Sequence, residues 1–200
     1  MNEDPLIIAL YCAIALYIGY IYRADIKAFG AGVPNAKALP GAVPVPALLT
    51  IASVLAGLVL LGNAVIGEYA LGLVELQSEM VWFFLFASLS AGVIEELVFR
   101  GYLVLENKGR NALVLSCIWF SLLFALIHGH LWSTEEGFSW VFSLQAIYNT
   151  WILFFNSLFF YGLRFGPWNP QRSILPSIIA HMSLNLGVFF VKWAQGFILF

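Results

Sequence analysis

Six long apolar runs dominate this sequence, at residues 6–22, 45–66, 80–105, 111–129, 138–163 and 173–195. An α-helix needs about 20 mostly apolar residues to cross the hydrocarbon core of a bilayer. Strands of a membrane barrel would instead be about 10 residues of alternating polarity, and these runs are too long and too uniformly apolar for that. Composition agrees: AVILMFWYC make up 62% of the 200 residues and DEKR 10%, against about 25% charged in a typical soluble domain. No soluble sphere of this size could bury so much apolar surface. The expected fold class is therefore all-α, a polytopic membrane helical bundle of about six transmembrane helices, with the lipid bilayer as its first partner. Disorder, coiled coil, collagen and a disulfide-stapled domain are excluded. Cys12 and Cys117 sit inside apolar runs and read as small buried hydrophobes. A net charge of −2 leaves no footprint for nucleic acid. The first run follows Glu3 and Asp4 with no Lys or Arg before it, the reverse of a signal peptide's basic start.

The loops carry an orientation signal. Arg23, Lys27 and Lys37 fall in 23–44, Lys108 and Arg110 in 106–110, and Arg164 and Arg172 in 164–172. The alternate loops, 67–79 and 130–137, have no Lys or Arg but hold Glu68, Glu75, Glu79, Glu135 and Glu136. Seven basic residues thus share one side, and only Lys192 lies toward the other. By the positive-inside rule both termini face out and the three basic loops face the cytoplasm. The Gly-, Pro- and Ala-rich stretch 28–46 reads as an irregular linker between the first helix and the rest.

Within the spans, Lys192 near the C-terminus aside, only Glu95, Glu96 and Arg100 carry formal charge. A charge at the bilayer centre costs roughly 2.5–3.5 kcal/mol on insertion scales, so such a cluster must be paired, line a wet cavity, or both. Glu96 and Arg100 stand at i and i+4 and can form an ion pair on one helix face. Glu95 points about 100° away, free to face something else, with Ser88 and Gly92 leaving room beside it. The cluster is either an ion pair that orders packing or a base held in a cavity.

Two more pairs share a helix face at i and i+4: Phe124 with His128, and His181 with Asn185, extended by Ser177. Depth counting brings all three together. Glu95 lies roughly 20 Å above the inner boundary, His128 roughly 25 Å, and His181 and Asn185 roughly 13–20 Å. All therefore fall between the midplane and the outer half, where they can meet in one pocket.

Glu95-Glu96-x-x-x-Arg100, Phe124-x-x-x-His128 and His181-x-x-x-Asn185, in that order, resemble the three motifs of the CAAX-protease and bacteriocin-processing (CPBP or Abi) family of intramembrane endopeptidases. The resemblance covers about residues 90–190, the family's four-helix catalytic core. It divides the chain into a variable two-helix extension over 1–79 and a core over 80–200. It implies that Glu95 is the general base that activates a water and that His128 holds that water. It further implies that His181 and Asn185 donate to the oxyanion, while Glu96 and Arg100 support the site. The implied substrate is a membrane-associated peptide or protein, with or without a lipid modification: a CAAX-type tail, a leader peptide or a C-terminal sorting signal. The implied setting is the cytoplasmic membrane of a prokaryote.

Rival readings remain at this stage. Two histidines and a glutamate can hold a catalytic zinc, although HExxH is absent and the ligands would come from three helices. No cofactor is expected, with zinc the alternative. Glu95, Glu96 and His128 could instead form the relay of a membrane carrier, although no internal repeat supports one. A non-catalytic immunity protein of the same fold is the third possibility. Gln145, Asn149 and Asn156 lie near one face of the fifth span, either bonding between helices or lining a substrate groove.

Overall fold

The computed structural model describes residues 4–134 and 137–200; Glu3, Glu135 and Glu136 lie outside the described residues. The apolar runs become six helices: α1 (Pro5–Gly30), α2 (Ala47–Ala70), α3 (Phe84–Glu96), α4 (Arg110–Ile127), α5 (Leu144–Phe165) and α6 (Leu175–Ala194). α3 runs on into a π-turn, Leu97–Tyr102, closed by a hydrogen bond from Leu103 N–H five residues back to Val98 C=O. By length and composition α1, α2, α4 and α6 are each able to cross a membrane. α3 reaches a comparable length only with its π-turn, and α5 is diluted by Gln145, Asn149, Asn156 and Ser157. The chain is an integral membrane, all-α helical bundle.

Local chemistry sets several helix starts. Asp4 accepts a hydrogen bond from Leu6 N–H (2.8 Å) at the start of α1, with Pro5 in the first turn. Ser143 does the same for Ala146 N–H (3.1 Å) at the start of α5.

α6 is the central helix, packed against α2, α3 and α5, while α1 lies on α3 and α4 on α5. Between helices in lipid, close van der Waals contact has to do what water exclusion does elsewhere, and small residues allow it. A Cβ on Gly57 of α2 would overlap the Ala180 carbonyl of α6, and one on Gly92 of α3 would lie 2.9 Å from the Met182 side chain. These close approaches hold α2 and α3 in register on α6.

The loops separate as their charges predict. At one end Ser173 Oγ donates to Val43 C=O (2.8 Å), Tyr22 Oη donates to Gly41 C=O (2.6 Å), and Arg164 pairs with Glu106. All three basic loops meet there. At the other end Lys192 Nζ donates to Ser78 C=O (2.6 Å), and Gln77 bridges Glu68 (2.9 Å) and Gln195 (3.2 Å). Two short ladders finish this end. β1 (Met80–Val81) pairs in parallel with β4 (Ile198–Leu199), and β2 (Trp132–Ser133) pairs antiparallel with β3 (Ser139–Trp140).

Three details differ from the sequence reading. α1 extends to Gly30, so Arg23 and Lys27 ride on a helix rather than in a loop. The stretch 28–46 is not a slack linker: buried Asp25 accepts from Asn35 Nδ2 (3.1 Å) and Leu39 N–H (2.9 Å) and folds it back on α1. Arg164 belongs to the last turn of α5 and is buried, because Glu106 supplies its counter-charge.

Candidate active site

The three motifs converge. α3 supplies Glu95, Glu96 and Arg100, the last from its π-turn. α4 supplies Phe124 and His128, and α6 supplies His181 and Asn185. A π-turn widens a helix and is often found at functional sites; here it carries Arg100 and is followed at once by the chain's turn toward α4.

The two adjacent glutamates part company, as their 100° offset requires. The Glu96 side chain is 0% exposed, and its Oε1 lies 3.0 Å from Arg100 Nη1. The same oxygen accepts from His181 Nδ1 at 2.9 Å. Glu95 keeps 23% of its side chain exposed, and its Oε2 stands 4.0 Å from His181 Nε2. Electrostatically it interacts first with His181 and then with His128.

Hydrogen bonding decides the ring edges. A carbonyl only accepts, so His128 Nδ1 carries the proton it gives to Phe124 C=O (2.6 Å). In the neutral ring Nε2 is then an acceptor. The ion-paired Glu96 carboxylate likewise fixes a proton on His181 Nδ1 and turns Nε2 toward Glu95. Asn185 Nδ2 donates one hydrogen to Ser88 C=O (2.7 Å), which leaves its second hydrogen unassigned.

Arg100 is the buried anchor. It is fully buried, and its Nη2 donates to Ser157 C=O (3.0 Å) and Ser157 Oγ (2.8 Å). Ser157 Oγ in turn donates to Ser121 Oγ (2.9 Å). Phe124, Phe160, Tyr161 and Phe99 surround the guanidinium, with ring centroids 4.9–6.0 Å away, a favourable arrangement for a desolvated cation. Phe160 also stacks on His181 at 5.0 Å, and Ser177 donates to the Phe160 carbonyl (2.8 Å).

A cavity of about 550 Å³ opens beside this cluster. His128 and Asn185 line it, with Ser88 and Phe84 from α3, Ser78 and Glu79 from the preceding loop, and Lys192 from the end of α6. It therefore lies at the end of the bundle away from the basic loops. His130 also lines it; burial and the neighbouring His128 hold its ring below the ordinary imidazole range. Among the described residues no three His, Cys, Asp or Glu side chains are grouped so as to hold a metal ion.

Ser121, Ser157, Phe160 and Tyr161 belong to the cluster around Arg100 and His181, and the motifs did not reveal them. Serine at 157, one position from Asn156, was the available signal in α5. Gln145, Asn149 and Asn156 are not among the residues lining the cavity. Gln145 Nε2 instead donates to Leu76 C=O at 2.7 Å, so it ties α5 to the loop after α2.

A model of the family described as type II CAAX prenyl endopeptidase Rce1-like matches residues 77–187, more than half of the chain and all three motifs. No curated protein and no solved structure matches the chain. On the strength of that match, which ends two residues past Asn185 and begins just before α3, the chain belongs to the Rce1-like family of type II CAAX prenyl endopeptidases.

Proposed function

We propose that the chain hydrolyses a peptide bond of a membrane-associated peptide or protein with a water activated by Glu95. The observation that carries this reading is the division between the two glutamates. Glu96 is taken up by Arg100 and His181, while Glu95 keeps an exposed edge beside His181 and His128.

In the proposed reaction one water gives one hydrogen bond to Glu95 and the other to His128 Nε2. Its lone pair is then free to attack the carbonyl carbon, and Glu95 takes the proton as the bond forms. Asn185 offers its second Nδ2 hydrogen to the developing oxyanion, and His181 adds a donor at Nε2 when its ring carries both protons. Donors aimed at a developing oxyanion are typically worth about 10²–10³ in rate each. Collapse of the tetrahedral intermediate expels the amine, which takes the proton back from Glu95.

Glu96 and Arg100 act through position, by holding His181. The mechanism needs no metal; zinc held by the histidines and a glutamate is the rival chemistry. The positive-inside rule turns the cavity end of the bundle outward, which suits a leader peptide or sorting signal of an exported protein. The two leading helices serve in this reading as an extension packed onto the 80–200 core.

The test is comparative. Membranes holding the wild type or Glu95→Gln are compared by proteomics for uncut precursors, and the precursor found is then cleaved by the purified protein. Loss of a general base should slow cleavage by about 10²–10⁴ with no loss of folded yield. Near-normal turnover by purified Glu95→Gln would sink the assignment.

A further inference from the structure

We infer that Lys192 is a specificity residue that binds a carboxylate of the substrate about three residues from the bond that is cut. This rests on the site proposed above. Lys192 lines the same cavity as His128 and Asn185. It lies seven residues after Asn185 on α6, two turns on, so both face the same way at a separation of about 10.5 Å. An extended peptide advances about 3.3 Å per residue, so about three residues span the distance from a bond at Asn185 to a group at Lys192.

The Lys192 side chain has donors to spare. Among the described residues its Nζ donates one hydrogen bond, to the Ser78 carbonyl at 2.6 Å, out of three it can give. It interacts electrostatically with Glu68, whose carboxylate is engaged by Gln77 Nε2 (2.9 Å); the two form no ion pair among the described residues. Glu79 lines the cavity too, again without an ion pair to Lys192 among the described residues. The Phe197 ring, 5.7 Å from Nζ, covers another side of the ammonium. A lysine placed only to satisfy the C-terminal end of α6 would not need to stand on the wall of the cavity that holds Asn185. The carboxylate can come from an Asp or Glu side chain or from the free end of the substrate chain. Either offers two oxygens to a charge-assisted bond.

The experiment uses the purified full chain in lipid nanodiscs and a mixture of synthetic peptides, with cut sites read by mass spectrometry. Each peptide is made with Glu or Gln at the position three residues from the bond, and with a free or amidated C-terminus. On wild-type protein, removing the carboxylate should lower kcat/KM roughly tenfold, mainly through KM. A response to Glu against Gln assigns a side chain, and a response to amidation assigns the chain end; both support the proposal. Lys192→Gln should bring the paired peptides to equal rates, and Lys192→Arg should restore the preference. Lys192→Glu should prefer a peptide with Lys at that position. Because the substrate-side comparison uses unaltered protein, it stands even where a Lys192 variant folds poorly. Equal cleavage of acidic and neutral peptides by the wild type would overturn the role of Lys192 and leave the peptidase reading intact. Failure of the wild type to cut any peptide or any precursor would overturn both.

Discussion

Removing Arg100 should cost the fold more than any other single substitution at the site. The guanidinium is fully buried, 3.0 Å from Glu96, and bonded twice to Ser157 within a ring of four aromatic side chains. Arg100→Met fills much of the volume but leaves the Glu96 carboxylate, 0% exposed, facing only a histidine. Stranding one member of a buried pair typically costs about 3–5 kcal/mol. For a chain of this length each kcal/mol moves Tm by about 2–4 °C, so the midpoint should fall by roughly 6–20 °C. Glu96→Gln added to Arg100→Met removes the stranded charge and keeps an acceptor for His181 Nδ1. The double variant should regain about 2 kcal/mol over the single one, the coupling expected of residues in contact. The half-buried thiols of Cys12 and Cys117 supply the assay, since a thiol-reactive dye reports their exposure as the purified protein is heated. An Arg100→Met midpoint within about 2 °C of wild type, or a double variant no more stable than Arg100→Met, would refute the anchoring role.

Further outcomes follow from the same geometry. Activity should survive strong chelators, and purified protein should hold no stoichiometric metal; about one zinc per chain, with loss on removal and recovery on readdition, would turn the mechanism to metal hydrolysis. His130 has a folded-state value below its unfolded value of about 6.5, so below that pH the unfolded chain binds the proton more readily. Stability should therefore rise with pH across the window just below 6.5, and His130→Gln should flatten that slope; an unchanged slope in titrated melts would count against it. On a background without Cys12 and Cys117, cysteines at Thr134 and Ser139, both exposed, should react with an impermeant thiol reagent outside intact cells. Cysteines at Asn107 and Gln171 should react only after the membrane is opened, and the reverse pattern would turn the site toward the cytoplasm.

Much of the fold was legible because the bilayer is a demanding solvent. Long apolar runs had to become helices, and the alternation of basic and acidic loops had to sort them end from end. The details that were missed arise where the solvent ceases to dictate. α1 runs past its apolar stretch to Gly30, since residues 23–29 contain no helix breaker and Asp25 finds partners in Asn35 and Leu39. The π-turn at Leu97–Tyr102 leaves the i, i+4 spacing of Glu96 and Arg100 unaltered, so that spacing cannot announce it. Phe160 is one of 18 phenylalanines, and nothing in its neighbours marks it as the one that stacks on His181.

The site shows a finer limit. Each motif joins residues of two kinds. Glu96 and Arg100 are buried where Glu95 is partly exposed; Phe124 is buried where His128 is exposed; His181 is buried where Asn185 reaches the cavity. The buried members touch one another: Glu96 meets Arg100 one turn on and His181 across on α6, and Phe124 of α4 packs on Arg100 at 5.0 Å and on His181 at 6.3 Å. Spacing along one helix shows that two residues share a face, but not which of them meets the next helix and which meets the substrate. That choice is made by α3, α4 and α6 together, through contacts as close as that of Gly92 with Met182. It divides the motifs by consequence. Substitution of Arg100, Glu96 or Phe124 should lower stability and activity together, because these side chains fill a packed, desolvated core. Substitution of Glu95 or His128 should lower activity with little loss of stability, because Glu95 keeps 23% of its side chain exposed and His128 lines the cavity; Asn185 also ties α6 to the Ser88 carbonyl of α3, so its loss should lower both.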